Sequence, residues 1–138
     1  MKIWIPIAGG PPTYTAQQRR WSVRSGRPIT YPDKRAKATR EELTRLLSPH
    51  APKEPMTGAV KLAVSLVYPY RKSEKKTVTE AAQRIPKVTR PDVDNTLKLL
   101  QDVMTALGYW IDDAQITDLH ATKYWGAEPG IEVNIEEV

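Results

Sequence analysis

The sequence predicts an α+β fold, a single mixed-sheet domain with two main helices. Three observations carry that prediction. Apolar and polar residues alternate around Ile3, around Val64 and around Val133, the period of half-buried strands. Two longer stretches, residues 33–47 and 94–107, instead keep their apolar residues to one side of a helix. The elements run strand, weak hairpin, helix, strand, helix, strand, strand, an order that suits a mixed α+β domain. The 138 residues carry no internal repeat and are enough for one compact domain, residues 1–138.

Each element has a local reason. Ile3, Ile5 and Ile7 alternate with Trp4 and Pro6. Pro6 has no N–H for a ladder, so this strand belongs at an edge. Residues 9–20 read as a loop that turns basic at Arg19 and Arg20. Residues 21–31, WSVRSGRPITY, read as a weak hairpin turning at Ser25 and Gly26. Asp33 suits a helix N-cap, and Ala36, Leu43, Leu46 and Leu47 supply the apolar positions of a helix that Pro49 and Pro52 stop. The clearest strand covers residues 58–70, where Val60, Leu62, Val64 and Leu66 alternate with Lys61, Ala63, Ser65 and Val67. Residues 71–90 are polar and basic and read as a mobile exposed loop, with a short helix near residues 80–83. The second main helix runs over residues 94–107, with Gly108 placed to end it. Strands over residues 116–125 and 131–137 close the chain, joined as a hairpin by GAEPG.

Composition narrows the chemistry. With no cysteine there is no disulfide framework and no thiolate zinc site. His50 and His120 are too few and too far apart for a histidine metal cluster. The apolar start, MKIWIPI, is short for a signal peptide, and no run approaches the ~20 residues of a membrane span. A cytoplasmic protein is expected. Charge is segregated. Residues 1–90 hold 19 Lys/Arg against 6 Asp/Glu, a net +13, while residues 91–138 hold 2 against 10, a net −8. A basic two-thirds beside an acidic third suits a polyanion grip next to a cation-binding centre, which points to nucleic acid.

The acidic third concentrates its chemistry in RPDVDNTLKLLQDVMTALGYWIDDAQ, residues 90–115. Asp92 and Asp94 stand two residues apart where the helix begins, and Pro91 favours an extended approach to it. Lys98 follows Asp94 by four residues and so shares its helix side. From there it can pair with Asp94 or stabilise charge on a scissile phosphate. Asp112 and Asp113 follow the helix. Clustered carboxylate oxygens suit magnesium, with manganese as a substitute. Taken singly these residues have plainer roles: Asp94 a helix cap, Asp92 a turn residue, Lys98 a solvated lysine, Asp112-Asp113 a turn before a strand. The helix spans about 20 Å, and six extended residues from Gly108 to Asp113 also reach about 20 Å. Asp113 therefore has just enough chain to return to Asp92 and Asp94, or it completes a site on a partner chain. The candidate phosphate contacts are Arg19, Arg20, Arg24, Arg71, Lys72, Lys75, Lys76, Lys87, Arg90 and Lys123.

The motif order RPDVDN, Lys98, GYWIDDAQITDL and Lys123 resembles the RusA family of Holliday junction resolvases, and GRPITYPDKRAK adds a weaker likeness. The resemblance implies a RusA-like fold and a magnesium-dependent endonuclease. Such an enzyme, often encoded by phage or prophage, acts as a homodimer that resolves four-way DNA junctions by paired symmetric cuts in recombination and repair. It implies metal-binding or catalytic roles for Asp92, Asp94 and Asp113, a catalytic phosphate-side role for Lys98, and a tuning role for Asp112. A non-catalytic, structure-selective DNA-binding protein is the alternative.

Overall fold

The computed structural model describes residues 1–13, 19–24, 27–32 and 34–138, with side chains described for 1–13 and 34–138. The strands are β1 (Lys2–Pro6), β2 (Arg19–Arg24), β3 (Arg27–Pro32), β4 (Val60–Pro69), β5 (Ile85–Pro86), β6 (Ile116–Gly126) and β7 (Gly130–Glu137). The helices are α1 (Lys34–Leu47), α2 (Lys76–Glu80) and α3 (Val93–Ala106), with 3-10 turns at Ser48–His50 and Asp113–Gln115. The architecture is α+β, as the sequence predicts. A five-stranded mixed sheet runs in the order β1-β7-β4-β6-β5, and β2 and β3 form a separate antiparallel ribbon.

Burial explains the strand order. β4 carries Val60, Leu62, Val64, Leu66 and Val67 at no more than 1% exposure, and it takes the centre of the sheet. It pairs in parallel with β6 and antiparallel with β7. This corrects the expected hairpin at the C-terminal end, because β4 lies between β6 and β7. The three residues 127–129 therefore cross over one strand, a gap of about 10 Å that three extended residues can just bridge. β1 pairs with β7 at the edge, where Pro6 has no donor to waste.

One face of the sheet is buried and the other is polar. Ile3, Ile5, Leu62, Val64, Ile131, Val133 and Ile135 share one core with Leu43 and Leu47 of α1 and with Leu97, Leu99, Leu100, Val103 and Met104 of α3. The alternate positions Lys61, Glu132 and Glu136 are exposed. Tyr109, fully buried, donates its hydroxyl to the Leu47 carbonyl at 2.6 Å and so joins the end of α1 to the end of α3. Among the described residues no helix is long and apolar enough to cross a membrane.

Two sequence expectations shift. The short helix expected near residues 80–83 lies at Lys76–Glu80, and Ile85 and Pro86 then pair with Trp125 and Tyr124. Residues 71–90 thus contain a helix and an edge strand, with the Tyr70 hydroxyl donating to the Gln83 carbonyl across the helical turn. The expected turn at Ser25-Gly26, the Asp33 cap and residues 14–18 of the loop 9–20 fall outside the described residues; Arg19 and Arg20 begin β2.

Gly130 begins β7 at φ +158, and a Cβ there would stand 2.2 Å from the Ile5 carbonyl oxygen. Gly130→Ala is therefore expected to pry β1 from β7 and destabilise the fold by about 1–3 kcal/mol. A lower urea midpoint with an unchanged slope is the expected result.

Candidate active site

The start of α3 is set by what holds it from below. Lys123 projects from β6 and its ammonium donates to the Thr89 carbonyl at 2.7 Å and to the Pro91 carbonyl at 2.8 Å. Lys87 is only 8% exposed. Its ammonium bonds the Thr89 hydroxyl at 2.6 Å and lies 3.9 Å from the Trp125 ring centre and 5.0 Å from that of Tyr68. Burial, then the nearby charges of Lys123 and Arg71, push the Lys87 ammonium below its ordinary range. Two lysines expected at phosphate are thus committed to the chain's own residues 89–91. They fix the segment that delivers Asp92.

Asp92 then occupies the N-cap position of α3 with extended backbone, φ −70 and ψ 137, but its carboxylate makes no capping bond. Its carbonyl accepts from Thr96 N instead. Asp92, Asp94 and Lys98 are all exposed, on the side of α3 away from Leu97, Leu100 and Met104. Among the described residues none of the three side chains has a hydrogen bond or ion pair, so Asp94 and Lys98 share a helix side without pairing. The plainer cap and ion-pair roles are left unused. What remains is two free carboxylates and a free ammonium at the positive end of a 14-residue helix.

The second acidic pair sits elsewhere. α3 ends in a Schellman turn: Tyr109 N donates to the Met104 carbonyl, Gly108 N to that of Thr105, and Gly108 takes φ +83. Trp110, 1% exposed, then donates its indole N–H to the Thr105 hydroxyl at 2.7 Å. Gln115 organises the rest. Its amide oxygen accepts from Ile111 N and Asp112 N, and its amide nitrogen donates to the carbonyls of Met56 and Gly58. Asp112 completes a reciprocal cap by accepting from Ala114 N at 2.9 Å. That bond, then one with the Asp113 side chain, holds the Asp112 carboxyl below its ordinary range.

Asp92 and Asp113 therefore lie at opposite ends of the same pair of elements. Pro91 is bonded to Lys123, whereas the Asp113 turn leads directly into Ile116. From Ile116 to Lys123 is roughly 23 Å of strand, and α3 spans about 21 Å in the other direction. No aspartate side chain crosses such a gap. In agreement, no three acidic or histidine side chains gather as a metal-holding group among the described residues.

The basic residues divide by availability. Arg71 bonds Glu74 at 2.6 Å and stacks on Trp125, and Lys76 faces Glu80 at 3.8 Å. Lys72, Lys75 and Arg90 are exposed and without a partner among the described residues. Arg19, Arg20 and Arg24 belong to β2. Gln115 was not legible as functional; its place in the DDAQ motif was the available signal.

Gln115→Leu is expected to cost about 1–3 kcal/mol, because two carbonyls and two N–H groups lose their partner. Thermal unfolding should move down while circular dichroism at room temperature stays the same.

Comparison with known proteins now bears on this arrangement. Residues 10–136 match the family described as endodeoxyribonuclease RusA. The Bacillus subtilis (strain 168) protein called "uncharacterized protein YqaN" is 33% identical over 137 residues, covering 96% of this chain and 91% of its own. The "crossover junction endodeoxyribonuclease rusA" of Lactococcus phage r1t is 34% identical over 124 residues, covering 90% of each chain. A match across nearly the whole chain, with the free acidic pair at the start of α3, places this chain in the RusA endodeoxyribonuclease family.

Proposed function

We propose that this chain is a magnesium-dependent endonuclease that works as a homodimer on four-way DNA junctions, cutting two strands symmetrically in recombination and repair. The observation that carries the reading is the pair Asp92 and Asp94, exposed, unpaired and held at the start of α3 by Lys123. Carboxylate oxygens left free of caps and ion pairs suit a hard divalent cation, and Asp92 and Asp94 would hold it. A bound cation would supply a polarised water for attack and neutralise charge on the phosphate. Lys98, with no competing partner, adds positive charge where negative charge gathers in the transition state.

DNA binding falls to the partner-free cations. Lys72, Lys75 and Arg90 stand on the segment that leads into Asp92, so phosphates held there bring the backbone toward the carboxylates. Such contacts carry no sequence information and make affinity depend on salt. A four-way junction has two-fold symmetry, which a two-fold dimer with two sites matches.

The test is cleavage of a labelled four-way junction beside a matched linear duplex, in magnesium and in EDTA. Paired symmetric nicks in the junction alone are expected, lost in EDTA. Asp92→Asn and Asp94→Asn should lower the rate at least about 10²–10³-fold, and Lys98→Met about 10²-fold, with junction binding kept. Equal cutting of both substrates would remove the junction assignment. Metal-independent binding with no cleavage would favour a DNA-binding protein instead.

Neutralising Lys72, Lys75 and Arg90 together should flatten the slope of log affinity against log salt by about 2–3. An unchanged slope would move the DNA path away from this segment.

A further inference from the structure

Val88 is 91% exposed, the most exposed large apolar side chain among the described residues. A lone apolar residue on a loose loop carries little meaning, but Val88 is held from both sides. Lys87 N donates to the Lys123 carbonyl at 3.1 Å, and the Lys87 ammonium donates to the Thr89 hydroxyl at 2.6 Å. The Lys123 ammonium donates to the Thr89 carbonyl at 2.7 Å. Lys87 is itself buried against the rings of Trp125 and Tyr68. Residues 87–89 thus form a fixed point that leaves one valine standing out in water. Cations surround it. Arg90, two residues on, is exposed and without a partner among the described residues. Arg71 stacks on the same Trp125 ring as Lys87, which brings its neighbour Lys72 close by. Asp92 follows Val88 by four residues, at most about 14 Å of chain.

Resting on the nuclease reading above, we propose that Val88 is an apolar wedge that enters the open centre of a four-way junction, packs on unstacked base faces there, and so selects branched over linear DNA. At about 3.4 Å per base along a strand, its reach from Asp92 places the wedge within about four nucleotides of the cut. The cations around it do not discriminate, because phosphates are the same on a junction and on a duplex. An apolar side chain does discriminate. In a continuous duplex the base faces are covered by their neighbours, and opening one step costs more than a single valine returns. Where four strands exchange partners the stack is already interrupted, and the same contact comes without that cost. Rigidity matters for the same reason. A point tied down at Lys87 and Thr89 loses little freedom when it inserts, so most of the gain from burying Val88 is kept.

The test uses a junction with 2-aminopurine at the branch point and a linear duplex with the same base in the same sequence, both in EDTA so that nothing is cut. The unaltered protein should raise the fluorescence of the junction and leave that of the duplex unchanged. Val88→Ser should lose the rise and lower the ratio of junction to duplex affinity about 3–10-fold. Its thermal unfolding and the salt slope of its binding should stay as they were, since Val88 supports neither the core nor a phosphate contact. Val88→Leu, still apolar, should keep both the signal and the ratio. Val88→Ser with an unchanged signal and ratio would overturn the proposal, as would an unaltered protein that gives no rise at the branch point. Cleavage in magnesium separates this from the nuclease reading. A branch-point rise without cleavage would count against the nuclease alone. Junction cleavage without the rise would remove the wedge alone.

Discussion

Two hydrogen bonds from one ammonium set the geometry of the acidic segment. Lys123 reaches from β6 to the carbonyls of Thr89 and Pro91, so α3 starts over the far end of β6 and runs back along it. Lys87 reinforces this from a box of Trp125, Tyr68 and Thr89. Holding a charged group at 8% exposure costs desolvation, which the ring faces and the Thr89 hydroxyl offset. The result is a rigid platform on which Asp92 needs no capping bond to keep its place. Its carboxylate is left available for chemistry.

The same anchoring has a consequence at the other end of the helix. Because α3 and β6 are antiparallel neighbours, the turn that joins them is as far from Asp92 as the helix is long. Gln115 locks that turn with four hydrogen bonds, to Ile111, Asp112, Met56 and Gly58. A turn tied down on both sides cannot swing across the domain. The four carboxylates that crowd together in sequence form two separate pairs in one chain, at opposite ends of α3.

Much of this was legible in the sequence, for stated reasons. Period-two alternation located β4 and β7, and Pro6 identified an edge strand. The one-sided apolar pattern found α1 and α3, and Gly108 marked the helix end. The pairing of β6 was not legible, because nothing local in GAEPG says that β4 comes between two strands that follow one another. That order comes from burial summed over the whole sheet. The roles of Lys87 and Lys123 were hidden for a similar reason. A lysine bonded to backbone carbonyls and a lysine awaiting phosphate are the same letter, and only the tertiary position separates them. The carboxylates Asp92 and Asp94 could be found because their spacing, their place before a helix and Lys98 one turn later all lie within nine residues.

The central claim is that Asp92 and Asp94, left free of caps and ion pairs at the start of α3, are the carboxylates that hold a divalent cation. A manganese anomalous difference map from crystals of the protein, with or without junction DNA, tests it most directly. The account predicts a peak contacted by Asp92 and Asp94. Peaks at other carboxylates, with none at this pair, would contradict it.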